Sequence, residues 1–232
     1  MKTLGIIGGT GPESTIEYYR RTIAVYRARS PEGQAPSILI NSIDNKRLLD
    51  LAGANQLAQL ADYLASEVER LVRAGADLAL FAANTPHLVF EEVQRRSNIP
   101  MLSIVEATCD VAAATGRRRL ALFGTRFTME ASFYPKIFGP RQIGIVMPNK
   151  AEQAYIHERY MNELLPGIVL NETREDLLEI VRAMKQREGV DGLILGGTEL
   201  SLIFRDATAA GVPVLDTTQI HVEAAVERLL KN

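Results

Sequence analysis

The sequence predicts an α/β protein of two pseudo-symmetric lobes, each a mostly parallel sheet flanked by helices. Three observations predict it. Short apolar runs alternate with longer stretches of helical periodicity, the pattern of βαβ units. Strand-like runs and the triplets that follow them recur in the same order in both halves of the chain. The 232 residues, 47% of them hydrophobic, suffice for one large core or two small ones.

The first apolar run, Leu4–Gly8, reads as a strand. It runs into Gly8-Gly9-Thr10-Gly11-Pro12, whose proline suits the first position of a helix. No Gly-Lys-Ser/Thr follows, so this is not a Walker loop, and its glycines lack the GxGxxG spacing. The spacing leaves ligand contact and a plain tight turn both open. Arg29-Ser30-Pro31-Glu32-Gly33 reads as a loop before a second strand, Ser37–Asn41. After that strand comes Ile43-Asp44-Asn45-Lys46-Arg47. The Arg47 guanidinium either pairs with a substrate carboxylate or is solvated.

Residues Ala58–Ala74 carry Leu60, Leu64, Val68 and Leu71 at steps of three and four, the stripe of an amphipathic helix. Leu78–Ala82 is the third strand, and Ala83-Asn84-Thr85-Pro86-His87 follows it. Pro86 suits the first helical position, with Thr85 capping, the Asn84 amide facing a cleft and His87 on the surface of the first turn. Met101–Ser103 is the fourth strand. Cys109 falls on a helix beyond it and reads as a buried, inert thiol.

In the second half, Arg117-Arg118-Arg119 reads as a solvated turn before the strand Leu120–Phe123 and the loop Gly124-Thr125-Arg126-Phe127-Thr128. Ile143–Val146 is the next strand. Arg174–Arg187 is a helix carrying Leu177, Ile180, Val181 and Met184. Gly192–Leu195 leads into Gly196-Gly197-Thr198-Glu199, and Val214–Asp216 is the last strand. A carboxyl group at Glu199 serves either as a general base or as a helix cap. His157 and His221 fall in helical contexts that suit packing. The three histidines are not at metal-ligand spacing, and no metal site is assigned.

The internal repeat pairs Leu4-Gly5-Ile6-Ile7-Gly8 with Leu120-Ala121-Leu122-Phe123-Gly124, Ala83-Asn84-Thr85 with Gly197-Thr198-Glu199, and Pro100-Met101-Leu102 with Pro213-Val214-Leu215. The three pairs keep order at a nearly constant offset, too long for a solenoid. Residues 1–99 with 212–232 are expected to form the first lobe, and 100–211 the second. Ligands of parallel sheets bind beyond the carboxyl ends of the strands. Two facing lobes would therefore gather their Gly-, Thr- and Asn-rich loops around one cleft. Backbone N–H groups and hydroxyls at helix N-termini favour an anion there, here a small carboxylate.

Other function classes are excluded by bulk properties. The formal net charge is −2 without a long run of one sign, which offers nucleic acid or an anionic membrane no footprint. No apolar stretch approaches the roughly 20 residues of a membrane span. Met1-Lys2-Thr3-Leu4-Gly5 lacks the features of a signal peptide, so a cytoplasmic protein is expected. One cysteine excludes an internal disulfide and a cysteine-built metal site.

Five blocks together carry a family resemblance: Gly8-Gly9-Thr10-Gly11-Pro12-Glu13-Ser14-Thr15, Asn84-Thr85-Pro86-His87, Gly124-Thr125-Arg126-Phe127-Thr128-Met129, Leu195-Gly196-Gly197-Thr198-Glu199, and Leu215-Asp216-Thr217-Thr218-Gln219-Ile220-His221. Their order and spacing resemble the aspartate/glutamate racemase family over nearly the whole chain. The resemblance implies two pseudo-symmetric α/β lobes with the active site between them, chemistry without a cofactor, an amino-acid substrate such as aspartate or glutamate, and a homodimer. It also implies a carboxylate site of Arg47, Asn84, Thr85, Thr125, Thr128 and Thr198, and Thr10 of the first block is a further substrate-binding candidate. Family members usually carry one cysteine before the Asn-Thr block and another before the Thr-Glu block. One thiolate takes the α-proton, and the opposite thiol returns one. Those positions here are Ala83 and Gly197, whose methyl group and hydrogen carry no exchangeable proton. Glu199, Asp44 and His87 are the candidate replacements. Three readings follow: a racemase-type isomerase with altered acid/base groups, a lyase or decarboxylase of the same fold, and a non-catalytic carboxylate-binding protein.

Overall fold

In the computed structural model, which describes residues 2–30 and 33–231, the apolar runs pair into two separate sheets. Pro31 and Glu32 of the loop expected at Arg29–Gly33 lie outside the described residues. The chain divides into two compact units, Met1–Ala107 with Thr218–Asn232, and Thr108–Thr217.

The first unit holds β1 (Thr3–Gly8), β2 (Ser37–Ser42), β3 (Leu78–Phe81) and β4 (Met101–Leu102), all parallel in the order β2-β1-β3-β4. The central strands are continuous apolar runs, because helices cover both faces of a parallel sheet. Every residue of β3 is buried, whereas every residue of the edge strand β2 is at least partly exposed, Ile40 among them. Leu4, Ile6 and Leu80 pack with Tyr18 and Tyr26 of the helix Pro12–Arg29 and with Val222, Val226 and Leu229 of the helix Thr217–Leu230. The helix Leu57–Arg73 buries Leu60, Leu64, Val68 and Leu71, the stripe its spacing predicts.

The second unit holds β5 (Arg119–Gly124), β6 (Gly144–Val146), β7 (Gly192–Gly196), β8 (Thr208–Ala209) and β9 (Val212–Asp216), in the order β6-β5-β7-β9-β8. All pairs are parallel except β8 with β9. Phe123, Leu193 and Leu195 of this sheet pack with Ile156, Leu164, Leu177, Val181 and Met184.

Apart from β8, the two sheets share one strand order, so the sequence repeat is a structural repeat. Leu4–Gly8 and Leu120–Gly124 lie in β1 and β5. The triplets from Ala83 and Gly197 follow β3 and β7. Met101-Leu102 and Val214-Leu215 lie in β4 and β9.

This pairing corrects the expected boundaries. Met101–Leu102 pairs with β3, so the first segment of the first unit runs on to Ala107, not to residue 99. Val212–Asp216 pairs with β7, so the chain returns to the first unit at Thr218, not at 212. Hydrogen bonding to a sheet decides both. The basic tract is exposed at Arg118 and Arg119, as a solvated segment is, but its last residue belongs to a strand and not to a turn. Arg119 opens β5, and the backbone N–H groups of Arg118 and Arg119 donate to the Asp191 carboxylate at 2.8 and 3.1 Å.

Candidate functional site

In the first unit, three loops leave the carboxyl ends of the neighbouring strands β2, β1 and β3. The loop after β1 turns at Gly9, whose φ is +82°. A Cβ there would stand 2.6 Å from Ser42 Oγ and 2.7 Å from the backbone N and O of Ile43, so this turn needs glycine on two counts. The Gly9 N–H donates to Thr15 Oγ1 at 2.9 Å, which ties the loop to its own helix. Thr10 Oγ1 is buried and, among the described residues, has no hydrogen-bond partner. Buried hydroxyls are normally satisfied, so this one is a candidate ligand contact.

After β2, Asp44 takes the N-cap of the helix Asn45–Gly53. Its Oδ1 accepts from the N–H groups of Lys46 at 2.9 Å and Arg47 at 3.3 Å. The Arg47 side chain lies over the Tyr63 ring, 4.3 Å from its centroid. Stacking uses the guanidinium face and leaves its in-plane N–H donors suited to a carboxylate.

After β3, Ala83 is half-buried, and Asn84 and Thr85 are buried. The expected cap is corrected here. The segment Thr85–Val89 is a 3₁₀ turn with Asn84 at its N-cap position and no side-chain cap bond, although Pro86 does sit in the first turn. His87 is corrected as well, because it is buried and not on the surface. Its Nδ1–H donates to the Asn84 carbonyl at 3.2 Å, and its Nε2 accepts from the Ile104 N–H at 3.3 Å. The ring stacks on Phe90 with centroids 4.9 Å apart. Burial pulls its pKa down to about 4, so the imidazole is neutral at pH 7. His221 is similar. Tyr18 Oη donates to its Nδ1 at 2.9 Å, its Nε2–H donates to the Leu102 carbonyl at 3.1 Å, and burial lowers its pKa to about 3.

In the second unit, β5 and β7 are neighbours, with Gly124 in register with Gly196. A Cβ on Gly124 would lie 2.8 Å from the Gly196 carbonyl oxygen. The loops that follow therefore start from closely packed backbones. Thr125 caps the helix Arg126–Glu130, its Oγ1 accepting from the Thr128 N–H at 3.3 Å. The Thr125 and Thr128 hydroxyls are 3.3 Å apart, and both residues are buried.

Glu199 sits at the N-cap position of the helix Leu200–Ile203, but its side chain makes no cap bond. It lies instead among the buried groups of the loop, 3% exposed, with Thr198 at 6% and Tyr160 at 5%. Thr198 Oγ1 donates to Glu199 Oε2 at 2.9 Å, and the Tyr160 hydroxyl donates to the same oxygen. Burial first, and then the Glu199 charge, push the Tyr160 hydroxyl well above the ordinary phenol range. A Cβ on Gly197 would lie 2.3, 2.9 and 3.0 Å from Cε2, Cζ and Oη of Tyr160.

The first unit thus gathers Thr10, Asp44, Arg47, Ala83, Asn84, Thr85 and His87 at its strand ends. The second gathers Thr125, Thr128, Gly197, Thr198 and Glu199. Sequence reasoning missed Tyr160, which is 39 positions from Glu199 and belongs to no motif. Its structural signal is a π-helical turn, Tyr160–Leu164, a feature frequent at functional sites and invisible to periodicity. Cys109 is buried, as expected of an inert thiol. Among the described residues, no group of three or more His, Cys, Asp or Glu side chains could hold a metal ion, and no helix is long and apolar enough to cross a membrane.

Comparison with known proteins places this geometry in context. The family described as Asp/Glu/Hydantoin racemase matches residues 7–225. The broad specificity amino-acid racemase RacX of Bacillus subtilis (strain 168) is 22% identical over 233 residues, 98% of each chain. The crystal structure of an aspartate racemase homologue from Pyrococcus horikoshii OT3 superposes with a TM-score of 0.85 at 35% identity over 100% of both chains. A Yersinia pestis protein described as a candidate Asp/Glu racemase gives 0.89 at 31% identity, again over 100% of both chains.

Proposed function

The chain belongs to the Asp/Glu/hydantoin racemase family, and on that premise we propose that it is an isomerase-type enzyme, working without a cofactor at Cα of a small amino acid, with Glu199 as its base. Aspartate and glutamate head the list of substrates. One observation carries the choice of base. The Glu199 carboxyl group is buried in the loop after β7, makes no cap bond, and shares a hydrogen-bonded cluster with Thr198 and Tyr160. The other two candidates have structural employment: Asp44 caps a helix, and both ring nitrogens of His87 bind backbone. Within each unit the proposed substrate-binding residues lie at the strand ends: Thr10, Arg47, Asn84 and Thr85 in the first, and Thr125, Thr128 and Thr198 in the second. The name of the Bacillus relative supports an amino-acid substrate.

Racemisation needs an acid or base on each face of Cα, and Ala83 and Gly197, where the resemblance expects the two family cysteines, supply neither. That favours a second reading, in which one base serves a lyase or decarboxylase reaction. A third outcome, affinity without turnover, would mark a binding protein. The test is deuterium exchange at Cα of aspartate, glutamate and other amino acids in D2O, followed by NMR. Exchange is expected for at least one of them. Binding without any exchange would overturn the enzymatic reading.

A further inference from the structure

The volume beside Gly197 is already filled. A Cβ at that position would fall 2.3 Å from Tyr160 Cε2, closer than real Cβ contacts come, and 3.0 Å from the hydroxyl oxygen. The ring edge of Tyr160 therefore occupies the side-chain space of position 197, with its hydroxyl oxygen 3.0 Å from the added Cβ. That hydroxyl donates to Glu199 Oε2, which also accepts from Thr198 Oγ1 at 2.9 Å. The tyrosine is delivered by a π-helical turn. The Leu165 N–H reaches back five residues to the Tyr160 carbonyl at 2.9 Å, so Tyr160 opens the widened turn at the end of the helix Lys150–Arg159. Tyr160 packs in the hydrophobic core of the second unit, and its hydroxyl is turned onto the Glu199 carboxylate.

The geometry points to Tyr160 as a catalytic residue, relaying the substrate Cα proton to Glu199 from beside the side-chain space of position 197. This rests on the reading of the chain as an α-proton enzyme with Glu199 as base. In the relay, the Cα–H bond breaks and its electron pair stays on the substrate as the carbanion. The proton goes to Tyr160 Oη while the original Oη proton moves to Glu199 Oε2. The tyrosine is neutral before and after, and Glu199 ends as the carboxylic acid. The reverse transfer returns a proton to Cα and restores the carboxylate. Burial and the neighbouring carboxylate both oppose a phenolate, so the hydroxyl passes the proton on without storing the charge.

Tyr160→Phe tests this, because it keeps the ring that fills the space and removes only the relaying oxygen. The probes are L-aspartate and L-glutamate in D2O, with loss of the Cα–H signal as the rate and thermal shift as the measure of binding. Tyr160→Phe is expected to lower exchange by about 100- to 10,000-fold, with binding kept within a few-fold. Glu199→Gln, which leaves Tyr160 in place, is expected to do the same. Exchange at the wild-type rate in Tyr160→Phe, with Glu199→Gln inactive, would mean that Glu199 acts directly and would overturn the relay alone. A Glu199→Gln protein as fast as wild type would overturn the relay even if Tyr160→Phe failed to fold. No exchange by the wild type would overturn the relay together with the reading beneath it.

Discussion

The Tyr160 ring stands where a side chain on Gly197 would be, with Cε2 2.3 Å from an added Cβ. Placing a thiol at position 197, where the family resemblance expects one, therefore involves two positions. Gly197→Cys alone is expected to lose about 1–3 kcal/mol through overpacking. Gly197→Cys with Tyr160→Leu should seat the thiol in the space the ring gives up. Denaturant unfolding of the single variant checks the packing claim, and a Gly197→Cys protein as stable as wild type would refute it.

Two buried histidines make stability depend on pH. Their folded pKa values, about 4 for His87 and about 3 for His221, lie below the ordinary 6.5 because burial disfavours the charged ring. The unfolded chain therefore takes up protons that the folded chain refuses. This stabilisation is fully present above pH 6.5 and is lost as pH falls towards 4 and 3. His87 alone accounts for roughly 3 kcal/mol over its fall. Urea midpoints of wild type and His221→Gln, measured from pH 7 to pH 4, check this. The variant should show the shallower decline, and parallel curves would refute the assignment.

Thr10 and Thr198 are the hydroxyls whose removal should be felt by the ligand. Thr10 Oγ1 is buried with no hydrogen-bond partner among the described residues, and Thr198 Oγ1 orients Glu199. Replacing Thr10 by Val should weaken amino-acid binding by about tenfold, the value of one charge-assisted hydrogen bond, and replacing Thr198 by Val should act on binding through the released Glu199 side chain. Thermal shift against aspartate and glutamate reads the change. Unchanged midpoints in both variants would remove these residues from the site.

Gly9 offers a backbone test. Its φ of +82° and the 2.7 Å approach to Ile43 backbone atoms leave no room for a side chain. Gly9→Ala should cost at least the roughly 1–2 kcal/mol of a left-handed non-glycine residue. The loop rearrangement should also appear as weaker ligand binding. A melting temperature equal to wild type would contradict the turn geometry.

The apolar runs, the three-and-four spacing of Leu60, Leu64, Val68 and Leu71, and the repeated strand–triplet blocks determined two similar parallel sheets and their polar post-strand loops. These features are local, or recur in order along the chain, so one sequence displays them. Hydrogen bonding between distant strands decided the rest of the architecture. It put Met101–Leu102 in the first sheet and Val212–Asp216 in the second, and it added the two-residue Thr208–Ala209, too short to show any period. Burial decided His87, because no local pattern reveals that Asn84 and Ile104 would take both ring nitrogens. Tyr160 is the sharpest case. Its meaning depends on a π-helical turn and on contacts with Gly197 and Glu199 across 37 and 39 positions of chain. The sequence by itself determined that position 197 is a glycine, and only the tertiary structure decided which side chain fills the space it leaves, because that space is bounded by atoms from a different segment of the fold.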